Sequence, residues 1–534
     1  MRTTEKILFI LIMVVMVLPA IQKERPLVKV KRLHGDYVLA SKPSFEWKSW
    51  FTGKFQEAFD SYLEDHIGFR PLLVRLTNQI DYSLFNLARA EGVVIGKEGY
   101  LYEYDYIRAY AGGDFLGETN IDKRVRQVKF VQEYLKREHD IDFVVVFEPG
   151  KASVYPEYIP ETYLQNRHEG NNYNSFVKKA EQHGVRFIDY NNYFQRLRDT
   201  ASYPLYARYG THWTPYGMSF VADSLVRYME DRRNIDMRKL KIDSLVIERK
   251  ARIEDYDIAA AMNLLCHLPD REVLAYPEIS FGPPAGKHLP MVLVVGDSYY
   301  WNIFNTNIPY VLFKNQAFWY FGNWVYPETY RDTLQVPQLN LTAEVEKQEF
   351  VFLMVTERFL HKFDWAFVDN LYKIYGITSK IDKLYNFKAS IWIYTEWFDL
   401  VVEKAAMNKI TLEEMLELEA RYVYQMNDEK SYLALRGQEH FEWSIRNNPE
   451  WLKLVQSKAA EKNLDPGEMI RLEADYVFST NHPEAYDLYH RLLREKQAIL
   501  QDSLLLDRVT LEAAHYYLTL DEMLQIEAER RVGL

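Results

Sequence analysis

A repeat of 54 residues restricts the last part of the chain to a helical array. Glu396-Trp397 and Leu418-Glu-Ala420 return 54 residues later as Glu450-Trp451 and Leu472-Glu-Ala474, and Ile526-Glu-Ala528 belongs to a third copy. In such arrays each unit hides its apolar face only against its neighbour. Residues 381–534 are therefore predicted to form an all-α helical repeat domain.

The N-terminal capping pattern of the helices also recurs every 54 residues. Each copy places a capping side chain three positions before a Glu. The pairs are Thr411 and Glu414, Asp465 and Glu468, and Thr519 and Glu522. These Glu residues are interpreted as capping and solvating groups, and the array as a docking surface for polysaccharide or a partner protein. Helical spacing favours core packing for most of its aromatics, although Trp443, Tyr476 and Tyr486 could stack on sugar rings.

Before the repeat, predicted helices alternate with short buried strands. Helices are expected near residues 122–137, 173–183 and 215–229, and strands near 143–147, 185–188, 291–295 and 350–355. This alternation is typical of an α/β domain with a largely parallel sheet, in which ligands sit beyond the carboxyl ends of the strands. An aromatic, helical segment, 45–90, and a short hairpin, 92–102, precede it.

Composition narrows the possible functions. The chain has 534 residues, 48% of them hydrophobic, which supports large packed cores, and a formal net charge of -11, which argues against a nucleic-acid surface. Cys266 is the single cysteine, so no intramolecular disulfide and no cysteine-based metal site can form. We expect no metal site, no cofactor and no nucleic-acid partner.

The first residues have the pattern of an export signal. Arg2 and Lys6 precede the apolar run 7–21, and the polar segment 22–25 follows it. Such a pattern is typical of a signal peptide or a short membrane span, and the lack of a clear small-x-small pair favours an uncleaved anchor. The rest of the chain is expected outside the cytoplasm.

One strand ends in residues that suggest catalysis. Met291–Val295 leads into Gly296-Asp297-Ser298, and Tyr299–Phe304 can begin a helix. Backbone N–H groups and the helix dipole at such a turn can hold an oxyanion, which makes Ser298 a possible nucleophile. Ordinary turn chemistry is the alternative interpretation.

A histidine stands at the start of a predicted helix. His212 comes just before Thr214-Pro215, which has a hydroxyl cap and proline at the first helical position. The imidazole is therefore expected on an ordered loop, where it could act as a general base for Ser298 or be a packed residue beside Trp213.

Five segments, taken in order, carry a resemblance to a known family. They are Ile95-Gly-Lys-Glu-Gly-Tyr-Leu101, Pro149-Gly-Lys-Ala-Ser-Val-Tyr-Pro156, Thr211-His-Trp-Thr214, Gly296-Asp-Ser298 and Glu357-Arg358. Over residues 45–365 the chain resembles the alginate O-acetyltransferases of the AlgJ/AlgX type, a branch of the SGNH-hydrolase-like superfamily. The resemblance implies an α/β SGNH-like domain, a nucleophile at Ser298, a base at His212, and an acetyl-serine intermediate passed to a sugar hydroxyl.

The chain departs from the family where the triad acid stands. The family pattern is Asp-x-His-Trp, and this chain has Gly210 in place of the Asp. Loss of the acid can cost on the order of 10⁴ in rate. Asp189, Asp257 and Asp297 are candidate replacements or supports, and each could instead be a capping or turn residue. Possible cleft-lining residues are Lys151, Tyr155, Trp213, Asn302 and Arg358.

The sequence thus predicts four regions and one principal function. The regions are a signal anchor (1–22), a linker with a helical entry layer (23–90), an SGNH-like acetyltransferase domain (91–380) and the repeat domain (381–534). The function is O-acetylation of an exported or cell-surface polysaccharide in the periplasm, by a protein anchored to the inner membrane. By resemblance, an MBOAT-type membrane acyltransferase supplies the acetyl group. An inactive glycan-binding or assembly subunit, which Gly210 would favour, and a glycan acetyl esterase are the alternatives.

Overall fold

The computed structural model describes residues 3–35, 38–165, 167–376 and 383–533. They fall into two compact units that are built from alternating stretches of the chain. The first unit comprises Met1–Tyr110, Pro149–Asn166 and Asn191–His288, and the second comprises Ala111–Glu148, Arg167–Tyr190 and Leu289–Leu534.

Short strands and many helices alternate along the described chain. The strands are β1 (Val93–Ile95), β2 (Leu101–Glu103), β3 (Asp142–Glu148), β4 (Phe187–Asp189), β5 (Leu240–Glu248), β6 (Leu274–Phe281), β7 (Val292–Gly296), β8 (Ala317–Tyr320), β9 (Trp324–Tyr326) and β10 (Phe350–Thr356). The helices are α1 (Thr3–Glu24), α2 (Trp47–Phe51), α3 (Lys54–His66), α4 (Arg70–Phe85), α5 (Tyr104–Tyr110), α6 (Glu118–His139), α7 (Lys151–Val154), α8 (Asn172–Gln182), α9 (Tyr190–Leu197), α10 (Pro215–Arg233), α11 (Asp257–Ala261), α12 (Trp301–Phe304), α13 (Ile308–Leu312), α14 (Leu341–Glu346), α15 (Phe367–Tyr375), α16 (Lys383–Ile393), α17 (Thr395–Asn408), α18 (Leu412–Asn427), α19 (Glu429–Arg446), α20 (Pro449–Lys462), α21 (Pro466–Asn481), α22 (Pro483–Gln501), α23 (Ser503–His515) and α24 (Leu520–Val532).

The second unit contains the main sheet, with strand order β4-β3-β10-β7-β8-β9. Neighbouring strands are parallel except at the edge, where β9 runs antiparallel to β8. Every residue of β3 and β10 is buried, as expected for parallel strands covered on both faces. The α/β fold with a largely parallel sheet is confirmed, and the carboxyl ends of β3, β10 and β7 share one edge.

Helix α6 covers the sheet with the stripe that its sequence predicts. Val125, Val128, Val131 and Leu135 are buried in the same core as the strands, since positions three and four apart lie on one helix face. The helix spans Glu118–His139 and so extends the predicted segment 122–137 at both ends.

Two pairs of strands were not predicted. In the second unit, β8 and β9 are short aromatic segments that complete the sheet edge. In the first unit, β5 and β6 form an antiparallel hairpin with a register shift between Ile242 and Ser244. The expected helix 299–304 is also shorter in the structure, because a single 3-10 turn, Ser298–Tyr300, precedes the four-residue α12.

The helical array of the second unit follows the sequence repeat closely. Helices α17, α20 and α23 begin at Thr395, Pro449 and Ser503, at intervals of 54 residues. Residues 409, 463 and 517 adopt left-handed φ angles of 56°, 54° and 54° after these helices. Most aromatics of the array pack in its core, whereas Trp443 and Tyr476 are exposed.

Both ends of this array pack against helix α6. At the first end, Tyr385 on α16 donates a hydrogen bond to Gln127 (2.9 Å), and the Lys123 ammonium lies 4.6 Å from the Tyr385 ring centroid. At the last end, Arg126 donates to Tyr517 O (2.7 Å) and to Glu522 Oε2 (2.9 Å). The helices of the array therefore form a closed loop with α6.

The first unit contains the hairpins, helix α10 and the N-terminal helices α1–α4. Helix α1 is long and apolar enough to cross a membrane, with a mean hydropathy of 2.3 over its most apolar window. Helix α10 begins as predicted, since Thr214 Oγ1 accepts a hydrogen bond from Gly217 N (3.1 Å) and Pro215 occupies the first position.

Candidate active site

His212 lies on a loop of the first unit that is fixed on both sides. Thr214 caps α10, and the fully buried Trp213 forms a bridge with Tyr206 and packs its ring 5.9 Å from that of Phe194. The predicted cleft-lining residue Trp213 is thus part of the core of this unit. Because its neighbours are fixed, the half-buried imidazole of His212 is presented on ordered backbone.

Asp257 holds both the ring and the backbone of this loop. Its Oδ2 lies 2.9 Å from His212 Nδ1, and its Oδ1 accepts hydrogen bonds from Thr211 N (2.8 Å) and Ile258 N (2.8 Å). One carboxylate therefore orients the imidazole and anchors the preceding residue. A carboxylate at Nδ1 is the arrangement that fixes the tautomer of a catalytic histidine and stabilises its charged form.

Lys151 supports the same loop from within the first unit. Its buried Nζ donates to the carbonyl oxygens of Leu101 (2.7 Å), Arg208 (2.9 Å) and Gly210 (2.7 Å). Burial lowers the pKa of Lys151 to about 7, although nearby carboxylates including Glu272 oppose this shift. The side chain is neither solvated nor on an open surface, and it ties the β2 hairpin to the residues before His212.

Tyr155 follows the same helical turn as Lys151 and is half-buried. Its hydroxyl accepts a hydrogen bond from Leu205 N (3.3 Å), and its ring lies 6.4 Å from that of Tyr206. Burial raises the pKa of the Tyr155 hydroxyl. Tyr155 thus packs against the strand-like segment that leads to His212.

Ser298 lies in the second unit, in the turn that follows β7. The buried Asp297 fixes this turn, because its Oδ2 accepts from Thr356 N (2.8 Å) and Thr356 Oγ1 (2.7 Å) and its Oδ1 accepts from Tyr299 N (3.0 Å). The half-buried Ser298 is therefore held at the carboxyl edge of the sheet. The Tyr299 N–H, which the sequence offered as an oxyanion donor, is bonded to Asp297.

Glu148 is a buried carboxyl that sequence reasoning did not select as a site residue. It pairs in register with Thr356, and neither of its carboxyl oxygens has a hydrogen-bond partner among the described residues. Burial raises the pKa of Glu148 well above its usual value, and the Asp297 carboxylate raises it further. The available signal was an acidic residue directly after the apolar run of β3.

The remaining predicted residues also lie in the second unit. Asp189 ends β4, and the Tyr173 hydroxyl lies within 3.0 Å and 2.9 Å of its two oxygens. Asn302 is half-buried on α12. Arg358 follows β10 with its guanidinium 4.6 Å from the Phe359 ring centroid, and burial lowers the pKa of Arg358 to about 10. Asp189 is thus bonded to Tyr173, whereas Asp257 is bonded to His212.

A family model described as SGNH hydrolase-like domain, acetyltransferase AlgX, matches residues 93–270. These residues are thus similar to the acetyltransferase domain that the model describes. The resemblance stated from the motifs is therefore confirmed for this part of the chain.

Curated AlgJ proteins are similar over a limited length. The chain is 28% identical over 185 residues to the probable alginate O-acetylase AlgJ of Pseudomonas aeruginosa, covering 35% of this chain and 45% of that protein. It is 30% identical over 173 residues to that of Azotobacter vinelandii, covering 32% and 42%. The matches thus span less than half the length of these relatives. The solved O-acetyltransferase domain of Pseudomonas putida AlgJ aligns with 18% identity and a TM-score of 0.34, covering 52% of this chain and 98% of that domain.

Packing explains the glycine that departs from the AlgJ/AlgX pattern. A Cβ atom at Gly210 would lie 3.1 Å from the backbone of Asp255, closer than ordinary contact. The turn Ile253–Asp255 therefore leaves little room for an Asp side chain at position 210. Asp257, two residues beyond Asp255, places a carboxylate beside His212 from the other side of the loop.

Proposed function

We propose that this chain is an O-acetyltransferase of an exported or cell-surface polysaccharide, which acts through an acetyl-serine intermediate at Ser298. The AlgJ/AlgX domain supports acetyl transfer, and relatives named probable alginate O-acetylases support a polysaccharide acceptor. The observation that carries the proposal is the pairing of His212 with Asp257 at 2.9 Å, which supplies the acid that the Gly210 substitution removes.

The proposed reaction has two steps. The Ser298 hydroxyl attacks the acetyl carbonyl of the donor, His212 accepts the hydroxyl proton, and that proton leaves with the donor group. A sugar hydroxyl then attacks the acetyl-serine, and His212 passes the sugar's proton to Ser298 Oγ as the ester bond breaks. Asp257 stabilises the charged imidazole in both steps, and Nε2 is the ring nitrogen that faces away from it.

The setting of this reaction is proposed to be the periplasmic face of the inner membrane. The apolar helix α1 supports an anchor. Because acetyl-CoA is cytoplasmic, the acetyl group requires a carrier across the membrane, which the family resemblance assigns to an MBOAT-type acyltransferase.

The test is acetylation of the purified chain by p-nitrophenyl acetate, read by mass spectrometry of the Ser298 peptide. We expect acetyl-Ser298 in the parent, none in Ser298→Ala, and a rate that falls about 10²–10⁴-fold in His212→Ala and Asp257→Asn. Labelling that is unaffected by Ser298→Ala and His212→Ala would refute the enzyme proposal and leave the inactive glycan-binding subunit.

A second aspartate provides the matched control. Asp189→Asn removes a carboxylate that is bonded to Tyr173 rather than to His212, so we expect labelling within about twofold of the parent. Equal losses in Asp189→Asn and Asp257→Asn would contradict the specific role of Asp257. Adding an oligosaccharide acceptor to the acetylated chain then separates transfer from hydrolysis, since an esterase releases acetate whether or not the sugar is present.

A further inference from the structure

The helices that follow α1 expose an unusual cluster of aromatic rings. Trp47, Trp50 and Phe51 on α2 have exposed fractions of 68%, 42% and 79%. They join Phe45 and Phe55 in a continuous set of ring contacts with centroid distances of 5.2–6.0 Å. We call these five residues the aromatic cluster. Aromatic side chains that pack together on a water-facing surface lose the burial that normally stabilises them.

Helix α4 adds an apolar stripe in the same unit. Leu73, Leu76, Ile80 and Leu84 recur at helical spacing, and their exposed fractions lie between 44% and 72%. Residues with this spacing share one face of a helix. An amphipathic helix whose apolar face is open is typical of a helix that lies in a membrane interface.

The end of the apolar helix α1 is fixed beside these helices. A Cβ atom at Gly68, between α3 and α4, would clash with Pro19 O on α1, so the two backbones approach closely. The Lys23 ammonium lies 5.1 Å from the Tyr62 ring centroid on α3. The Gln22 amide also bonds Leu27 N and Val28 O, both at 2.7 Å, which fixes the chain as it leaves α1.

The basic residues that follow α1 also favour contact with an anionic lipid surface. The residues that follow α1 include four cations within eight positions, which are Arg25, Lys29, Lys31 and Arg32. Basic segments next to a membrane span are attracted to anionic headgroups, and Trp and Tyr concentrate at the level of those headgroups.

We infer that the aromatic cluster and the apolar stripe of α4 lie in the headgroup interface of the bilayer that α1 crosses. The chain then contacts the membrane through a second, non-spanning element as well as through its anchor. The occupant is lipid, because the exposed rings adjoin the end of a membrane-length helix and a basic segment. This inference rests on the anchoring part of the proposed function and not on acetyl transfer.

Quenching by lipid tests this inference in the full-length chain. A Cys266→Ser background carries one introduced cysteine at a time, Phe51→Cys, Val14→Cys or Ile242→Cys, labelled with the fluorophore NBD. All three positions are at least 43% exposed, and Ile242 lies on the β5 hairpin. The labelled proteins are reconstituted into vesicles of anionic and zwitterionic phospholipid, with or without doxyl-labelled chains.

We expect the probe at position 51 to lose fluorescence to a similar extent as the probe at position 14 on α1, and the probe at position 242 to keep its intensity. Quenching at 14 without quenching at 51 would overturn the inference. The inference would also be overturned if the probe at position 51 became shielded from solvent only after a membrane acyltransferase is added, because the aromatic cluster would then be a protein interface. If position 14 is not quenched either, α1 does not enter the bilayer and the inference falls with it. Acetylation of Ser298 is measured in the same samples, so failure of the catalytic proposal is seen separately.

Discussion

Buried polar groups at the ends of β3, β7 and β10 show how single residues shape the candidate site. Asp297 is satisfied by three hydrogen bonds, whereas Glu148 beside it has none among the described residues. A buried carboxyl without partners is stable only in its neutral form. Burial without partners therefore raises the pKa of Glu148 and favours its neutral form, while Asp297 fixes the turn that holds Ser298.

Replacing Glu148 by glutamine should change how stability depends on pH. Because its folded pKa is raised, Glu148 contributes stability that is present below its ordinary pKa of about 4.3 and is lost as pH rises through the folded value. We expect the melting temperature of the parent to fall more between pH 5 and pH 8 than that of Glu148→Gln. Thermal unfolding followed by circular dichroism at both values measures this. The exposed Glu161→Gln variant is the control and should resemble the parent, and an identical pH profile for parent and Glu148→Gln would contradict the neutral carboxyl.

At the level of elements, the repeated helices depend on the same local signals in each copy. Thr411 Oγ1 accepts from Glu414 N (3.2 Å) while Glu414 Oε2 accepts from Thr411 N (2.9 Å), and Thr519 and Glu522 repeat this geometry. Between consecutive helices, Lys404 pairs with Glu419 and Lys458 with Glu473, each at 2.8 Å. In the third copy Arg508, one turn earlier than the equivalent of Lys458, pairs with Glu527.

Removal of one cap should destabilise the array by a predictable amount. Thr411→Ala removes the Oγ1 atom that accepts from Glu414 N and donates to Glu414 Oε2, which we expect to cost about 1 kcal/mol. Urea denaturation followed at 222 nm measures the loss. Thr510→Ala provides the comparison, because Thr510 is an equally exposed threonine within α23 and alanine is the better helix former. Equal destabilisation of the two variants would mean that capping is not the cause.

Local patterns explain which elements could be predicted from the sequence. Helix α6, strand β3 and the capped repeat helices carry their own periodicity and caps, so their positions follow from neighbouring residues. The β5–β6 hairpin could not be predicted in this way, because its two strands are separated by a long stretch of chain. The strands β8 and β9 are short and almost wholly aromatic or apolar, so they carry no alternating pattern. The pairing of Asp257 with His212 was one of three open choices, since only folding brings residues 45 positions apart together.

In the second unit as a whole, both ends of the helical array contact α6, the helix that covers the main sheet. Lys123 contacts Tyr385 at the first end and lies 3.6 Å from Glu522 at the last. Burial raises the pKa of Glu522, but hydrogen bonding and the charge of Arg126 outweigh this and leave the pKa lowered. The contact between Arg126 and Glu522 therefore stabilises the fold at pH values above the ordinary carboxyl pKa. This stability is lost as pH falls through the lowered pKa of Glu522 in the folded state.

Loss of the arginine in this contact should release the last copy first. Arg126→Met removes the hydrogen bonds that Arg126 donates to Glu522 and Tyr517 O, at a local cost of roughly 1.5–3 kcal/mol. Hydrogen exchange read by mass spectrometry should show faster exchange in residues 503–533, with β3 and β10 unchanged. Arg494→Met, at an exposed position on α22, is the control and should exchange like the parent. Uniformly faster exchange across the sheet would contradict a local fastening.

An open solenoid can gain or lose units at its free end without disturbing the others. Here α6 contacts both the last copy, through Glu522, and α16, the helix that precedes the first copy. Duplication or deletion of a single 54-residue unit would break that circuit, so we expect the number of copies to change only together with the helix that joins the two ends.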